Sequence, residues 1–235
     1  MANIKDQKGA QMVEETISTQ EAFFLKYKKA IIYGVVAIVV VIAGIIVYNN
    51  YVAGPREDKA STILAKGQQL FGEEQFEKAL KGDGANFPGL LSIASDYSST
   101  DAGNLAKLYA GLSYAFLGKD AEALKYLNDY SPANDAMVSP AAIAARGNVY
   151  AKLGKLDEAV KDLKKAADMA DSKAKNGRNY SIAPTFLLQA GQILESQGKK
   201  EEAAKIYKDI KANYVNAMVV QSQEIDKYIE RATLK

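Results

Sequence analysis

Side chains that carry enzymatic chemistry are scarce in this chain. Cys and His are both absent, which excludes a disulfide, a thiolate zinc site and a cysteine nucleophile, and removes the commonest general base. Carboxylates are numerous, but Asp157, Glu158, Glu201 and Glu202 recur at corresponding places of a repeat described below. The paired acids of a glycosidase would instead converge from different elements into one cleft. The sequence therefore predicts a protein that is not an enzyme.

Two other patterns fall short of ligand-binding loops. Gly-Lys pairs begin at Gly118, Gly154 and Gly198, without the Gly-x-x-x-x-Gly-Lys-Ser/Thr spacing of a phosphate loop. Asp83 is not followed by the alternating oxygen ligands and the closing Glu of a calcium loop. The 30 basic and 28 acidic residues give no reason to expect the clustered basic face that nucleic acid requires. We expect no cofactor, no metal and no nucleic-acid partner.

An uncharged apolar run at residues 30–48 is long enough to cross a membrane. Its 19 residues would make a helix of roughly 28 Å, close to the thickness of the hydrocarbon core of a bilayer. The run starts too far from Met1, and is too long, for a cleaved signal peptide. A buried core helix rarely extends this far without a polar side chain. We predict a single transmembrane helix at 30–48, preceded by a tail at 1–29.

The distribution of basic residues predicts the orientation of this helix. Lys26, Lys28 and Lys29 directly precede it, whereas the first basic residue behind it is Arg56, followed by two acidic residues. Because basic residues near a span favour the cytoplasmic side, the tail is expected in the cytoplasm. The large part that follows is then expected on the other side of the membrane.

A stripe of mostly small residues follows one face of the predicted span. Its members include Gly34, Ala37, Val41 and Gly44. Small side chains let a second membrane helix approach closely, although the span contains no Gly-x-x-x-Gly motif. These four residues are the candidate contact with another membrane helix, which leaves a homo-oligomer open.

Behind the span, a Gly followed twelve residues later by an Ala recurs four times. The pairs are Gly67 and Ala79, Gly111 and Ala123, Gly147 and Ala159, and Gly191 and Ala203. In the last three copies a second Gly follows seven residues after the first, at Gly118, Gly154 and Gly198. Small residues allow two helices to cross closely, and a Gly at the end of a helix favours a left-handed turn. The period predicts an all-α array of stacked antiparallel helical hairpins.

The clearest copy, at residues 146–166, resembles the tetratricopeptide repeat. It matches the small and aromatic positions of that family at Gly147, Tyr150, Gly154, Ala159 and Ala166. The resemblance implies an α-solenoid of the tetratricopeptide type at 55–235. Its repeats are expected at about 60–100, 104–137, 140–172 and 184–217, with a cap helix at 218–235. The first copy is degenerate, because Glu74 occupies the place of the turn Gly.

Solenoids of this family bind protein partners in the concave surface formed by the first helix of each repeat, and the resemblance implies the same here. The expected groove residues are Leu105, Leu108, Leu112 and Phe116 of one repeat, Asn148 and Lys152 of the next, and Leu188, Gln192 and Glu195 of the third. One wall is apolar and the other polar. A two-carboxylate clamp for chaperone tails is not expected, because it wants Lys and Asn where Leu108 and Leu112 stand.

The order of parts along the whole chain resembles the YfgM-like family of Gram-negative bacteria. The shared features are a short tail with Phe23, Phe24 and Lys28, one span, and a tetratricopeptide domain. In that family the protein accompanies the Sec translocon and contacts periplasmic chaperones. The resemblance implies a single-pass adaptor of the bacterial inner membrane, with its domain in the periplasm at secretion or envelope-assembly machinery. Two alternatives stay open: a self-assembling structural envelope protein, and an organellar import-type receptor with cytosolic repeats.

Overall fold

The computed structural model describes residues 3–234, with side chains from Phe23 onward. The chain forms two compact units, Met1–Pro55 and Arg56–Lys235. The helices, in chain order, are α1 Asn3–Tyr48, α2 Gly54–Gly72, α3 Phe76–Lys81, α4 Leu90–Asp96, α5 Asp101–Phe116, α6 Asp120–Asp129, α7 Val138–Lys152, α8 Leu156–Lys173, α9 Ala183–Ser196, α10 Lys200–Asn213, α11 Met218–Gln221 and α12 Glu224–Thr233. No strand occurs among the described residues. The predicted all-α fold is confirmed.

The first unit is built on α1, which contains the predicted span. Among the described residues, one helix is long and apolar enough to cross a membrane, with an 18-residue window of mean hydropathy 3.1. Every side chain from residue 23 to Tyr48 is exposed, including those of Ala37 and Val41 in the small-residue stripe. An apolar helix with all its side chains exposed is compatible with lipid around it.

A π-helical turn at Asn49–Ala53 follows α1. The N–H of Gly54 donates to the carbonyl of Asn49, five residues earlier. The next residue, Pro55, has no N–H to give, and its ring would clash with the carbonyl four residues before it in a regular α-helix. The wider π turn is the local response that lets the backbone continue through Pro55.

In three hairpins of the second unit, the two helices cross at the Gly that the repeat predicts. A Cβ on Gly111 would lie 2.7 Å from Leu127 Cγ, and a Cβ on Gly147 would lie 3.2 Å from Leu163 Cγ. Gly191 lies against the ring of Tyr207 in the same way. The paired residues Ala123, Ala159 and Ala203 are completely buried. The close crossing of α5 with α6, α7 with α8, and α9 with α10 is confirmed.

The turns inside these hairpins also follow the prediction. Gly118, Gly154 and Gly198 have φ values of 71°, 74° and 74°, and the N–H of the following Lys donates to a carbonyl five residues earlier at 2.9 Å in each case. This pairing is the Schellman motif, in which a left-handed residue ends the helix. Glu74 adopts φ 60° in the first copy, so the same turn forms there without a Gly.

The first copy differs in its helix packing. A Cβ on Gly67 would lie 2.7 Å from Leu90 Cδ2 and 2.9 Å from the ring of Phe87, and not against α3. The segment at 82–89 between α3 and α4 therefore brings α4 against Gly67, where the second helix packs in the other hairpins. This short helix ends next to Tyr97.

Buried apolar side chains of the second unit form three clusters. The N-terminal core cluster includes Leu64, Leu80, Leu90 and Ile93 of α2 to α4. The central core cluster comprises Leu108, Ala123, Leu127, Tyr130, Ala142 and Val149. The C-terminal core cluster includes Leu163, Phe186, Tyr207 and Ile225. The region predicted as one cap helix is two helices, because Gln223 adopts φ 60° between α11 and α12.

Candidate protein-binding groove

An apolar groove lies between the end of α2, the middle of α5 and the start of α7. It is lined by Phe71, Leu108, Tyr109, Leu112, Met137, Val138, Ala141 and Ala142, and has a volume of about 390 Å³. None of these eight side chains is charged, and the hydroxyl of Tyr109 and the sulfur of Met137 are their only heteroatoms. The surface suits an apolar ligand better than a polar one.

Aromatic rings extend the groove beyond Phe71. The rings of Phe76 and Phe116 are stacked, with centroids 4.9 Å apart and planes at 4°. Phe71 meets Tyr109 edge to face at 5.2 Å and Phe116 at 5.9 Å. We call these four residues the aromatic cluster. Phe116 is 66% exposed, although its neighbours hold the ring in place, so the cluster offers a preformed apolar contact surface.

The groove wall, defined as residues 136–138, is held by a carboxylate. Asp135 Oδ1 accepts hydrogen bonds from the backbone N–H groups of Met137 at 2.9 Å and Val138 at 2.6 Å, which start α7. Burial opposes the charge, but the hydrogen bonds from Ser139 and from these N–H groups outweigh it and hold the pKa of Asp135 below its ordinary value. Met137 and Val138 nevertheless expose 51% and 47% of their surface. The wall is therefore apolar, accessible and fixed.

The loop that leads to this wall is also fixed by hydrogen bonds. The buried hydroxyl of Ser139 donates to Asp135 Oδ2 at 2.6 Å and lies 3.0 Å from the hydroxyl of Tyr130. Because Ser139 gives its only proton to the carboxylate, Tyr130 is the donor in the second bond. Asn104 of α5 bonds both the carbonyl and the N–H of Ser131, at 2.7 and 2.9 Å. The loop thus connects α5 to α7 through polar contacts.

The four residues predicted for the groove in the repeat at 104–137 differ in how far they are exposed. Phe116 is exposed and belongs to the aromatic cluster, and Leu112 is partly buried in the groove lining. Leu108 is only 5% exposed, so most of its side chain belongs to the central core cluster and little is available to a partner. Leu105 packs against two core clusters and does not line the groove.

The two predicted residues of the next repeat differ in their contacts. Asn148 is exposed on α7. Lys152 Nζ donates to the carbonyl of Ala115 at 3.2 Å and lies 3.9 Å from Asp120 Oδ1. Lys152 therefore joins the end of α7 to the preceding hairpin, and part of its hydrogen-bonding capacity is already used.

The three predicted residues of the last repeat do not line the apolar groove. Leu188 packs against the C-terminal core cluster, and Gln192 Nε2 lies 3.3 Å from the hydroxyl of Tyr228 on α12. Glu195 accepts hydrogen bonds from Arg231 Nε at 2.9 Å and from the hydroxyl of Tyr207 at 2.6 Å. The polar wall expected at Gln192 and Glu195 is thus occupied by Tyr228 and Arg231 of α12.

The Glu195 contacts shift two ionisation equilibria. The hydrogen bond from Arg231 and, against the effect of burial, the bond from Tyr207 lower the pKa of Glu195. Burial and the bond to Glu195 raise the pKa of Tyr207. Both shifts favour an ionised Glu195 that accepts a hydrogen bond from a neutral Tyr207 and forms an ion pair with Arg231.

Several groove residues were not expected from the sequence. Phe71 and Phe76 flank the turn of the degenerate first copy, where Glu74 hides the match to the repeat. Met137 and Val138 precede Pro140, at which the repeat was expected to begin. An Asp two residues before an apolar pair is a capping signal. It would have predicted that α7 starts before Pro140.

Comparison with known families agrees with the hairpin geometry. Residues 141–173 match one family model described as a tetratricopeptide repeat, and residues 186–217 match a second with the same description. These stretches correspond to the α7–α8 and α9–α10 hairpins. No curated protein matches the chain. The repeats indicate a scaffold that binds protein partners, a class that is generally not enzymatic.

Proposed function

We propose that this protein is a membrane-anchored scaffold whose groove binds an apolar, uncharged segment of a partner protein. The observation that supports this function is the continuous apolar surface formed by the groove wall and the aromatic cluster, in which Phe116, Met137 and Val138 are about half or more exposed. Burial of such a surface is favourable by about 25 cal/mol per Å². Aromatic and Met side chains are also enriched at the centres of protein interfaces.

The chemistry of the lining selects the partner. A charged side chain pressed against these eight uncharged side chains would lose its hydration without gaining a hydrogen-bond partner. Of the two charged residues predicted for the groove, Lys152 already bonds the carbonyl of Ala115 and Glu195 bonds Arg231, and neither lines the apolar groove. The partner segment should therefore present branched aliphatic or aromatic side chains at its centre, with any charges at its ends.

A peptide-display experiment tests this function. The full chain, held in phospholipid nanodiscs, is used to select peptides from a random library, and the dissociation constant of one selected peptide is measured. We expect uncharged apolar centres. Phe116→Ala should weaken binding by about 10- to 100-fold, the loss typical of one interface hot spot.

The exposed Lys161 of α8 provides the control. Lys161→Ala should leave the dissociation constant unchanged. Selection of peptides with charged centres, or equal binding by the wild type and the Phe116 variant, would show that recognition uses another surface.

We further propose that the scaffold serves secretion or envelope assembly at the bacterial inner membrane, as an adaptor near the Sec translocon or periplasmic chaperones. Support comes from the order of parts shared with the YfgM-like family and from the three Lys residues in front of the span. Protease added to inverted inner-membrane vesicles should remove the tail and spare the domain at 55–235. A digested domain with a surviving tail would reverse the orientation and favour the receptor with cytosolic repeats.

Self-assembly through the span is the second candidate, because Gly34, Ala37, Val41 and Gly44 form one exposed stripe. The chain has no Cys, so a single introduced thiol reports contact between copies. Ala37→Cys should form a disulfide dimer in native membranes if this stripe is a homodimer contact. Val39→Cys, on the opposite side of the helix, is the control and should stay monomeric.

A further inference from the structure

The segment at 174–182, between α8 and α9, makes the spacing from Gly147 to Gly191 longer than the spacing from Gly111 to Gly147. We call it the inserted segment, and its contacts lead to the groove. Asn179 of this segment is 8% exposed. Its Nδ2 donates to the carbonyl of Ala136 at 2.9 Å and lies 3.7 Å from the sulfur of Met137. A residue more than 40 positions away in the chain therefore bonds directly to the groove wall.

The other atoms of Asn179 fix it within its own segment. Its Oδ1 accepts from the N–H groups of Ser181 at 3.1 Å and Ile182 at 3.2 Å, just before α9. Its backbone N–H donates to Asp171 Oδ1 at 2.8 Å. Every polar atom of this buried side chain thus has a partner, as a rigid polar contact requires.

The base of the segment is anchored at Asp171, which is 9% exposed. Asp171 Oδ2 accepts from Arg178 Nη1 at 2.9 Å and from the hydroxyl of Tyr214 at 2.7 Å. Tyr214 follows α10, so Asp171 ties α8, the inserted segment and the last hairpin together. Asp171 therefore holds Asn179, and Asn179 joins Asp135 in holding the groove wall through its bond to Ala136.

We propose that the inserted segment supports the groove wall and that Asn179 is a positioning residue for partner binding. A wall that is already ordered lowers the entropic cost of docking, because Met137 and its backbone need not be immobilised when the partner arrives. Because partner binding at the groove is itself proposed above, the role of Asn179 rests on that proposal.

Two substitutions separate the two hydrogen-bonding roles of Asn179. Asn179→Asp keeps an oxygen for the N–H groups of Ser181 and Ile182, but places a second oxygen against the carbonyl of Ala136. Asn179→Ala removes both roles. Asn176→Ala, at an exposed position of the same segment, is the matched control. Ile225→Val in α12 is a second control, a buried change away from the groove that lowers stability.

Hydrogen exchange and peptide binding are measured on the full chain in nanodiscs. Both Asn179 variants should speed amide hydrogen exchange at residues 136–139, whereas exchange at 181–183 should become faster only in Asn179→Ala. Both variants should raise the dissociation constant of the selected peptide by about 3- to 10-fold. This is the order expected when one side chain of the wall must be ordered on binding. Asn176→Ala and Ile225→Val should bind as the wild type does.

The outcomes distinguish this role from the groove proposal. Unchanged exchange at 136–139, or faster exchange there with unchanged peptide affinity, overturns the role of Asn179. If the Phe116→Ala variant binds the selected peptide with the same dissociation constant as the wild type, the groove proposal is overturned instead. Weaker binding by Ile225→Val to the same extent would show that loss of stability, and not wall position, explains the Asn179 result.

Discussion

Glu74 is the residue at which the turn of the first hairpin departs from the other three. It holds φ 60°, a conformation that costs a non-Gly residue about 1–2 kcal/mol. Glu74→Gly should raise the free energy of unfolding by about 0.5–1 kcal/mol, since the added flexibility of the unfolded chain offsets part of the gain. Urea denaturation measures the change. Glu73→Gly, one position earlier, should lower the stability, and a loss in both variants would mean that the Glu74 side chain stabilises the turn.

Glu195 should give the stability of the second unit a component that depends on pH. Its pKa in the folded protein is lowered from 4.5, chiefly by Arg231, so the folded state binds its proton less tightly than the unfolded chain does. The ion pair therefore stabilises the fold above about pH 4.5, and this contribution is lost as the pH falls through the lowered value. Glu195→Gln should be less stable than the wild type at about pH 7, with a difference that shrinks below about pH 4.5.

Thermal unfolding at a series of pH values measures this difference. Glu201→Gln, at an exposed position of α10, is the control for the exchange of a carboxylate for an amide and should lower the melting temperature at about pH 7 by less than Glu195→Gln does. A Glu195→Gln difference of the same size at every pH would show that the loss reflects packing and not charge.

At the scale of elements, the crossing of α7 and α8 depends on Gly147. A Cβ there would lie 3.2 Å from the carbonyl oxygen of Ala159 and from Leu163 Cγ, and a backbone carbonyl cannot rotate away as a side chain can. Gly147→Leu should destabilise the fold by about 1–3 kcal/mol or more, since it overpacks the crossing. Lys161→Leu, on the exposed face of α8, should change stability by less than about 0.5 kcal/mol. Equal shifts in melting temperature for the two variants would contradict the crossing.

The elements that could be predicted from the sequence are those fixed by local spacing. Gly111, Gly147 and Gly191 meet residues of their own hairpin, so the contact repeats with the period and is visible in the sequence. The packing of Leu90 on Gly67, and the return of α12 onto Glu195, involve segments outside the period. Such contacts depend on where an insertion or a cap folds back, and no spacing in one sequence encodes that.

For the whole molecule, the sequence predicted the apolar helix and the helical array, but only part of the candidate groove. Phe116 and Leu112 were expected from the repeat, whereas Met137 and Val138 reach the groove because Asp135 starts α7 ahead of Pro140. Their position also depends on Asn179, which belongs to a segment without repeat character. The groove is therefore a product of the irregular parts of the chain as much as of the regular ones.

The sizes of the three core clusters have a mechanical consequence for the helical array. The central core cluster, which connects α5 and α6 to α7, contains fewer buried residues than the clusters on either side. In a repeat array each unit is held mainly by its neighbours, so this joint is stabilised by fewer buried side chains than the joints within the C-terminal core cluster. A pull applied across this joint should part α6 from α7 at a lower force than a pull across α8 and α9 needs, a difference that single-molecule force spectroscopy would resolve. Since Leu108 and Ala142 belong both to this joint and to the groove lining, the same force would deform the groove, and a segment bound there as proposed above would be released.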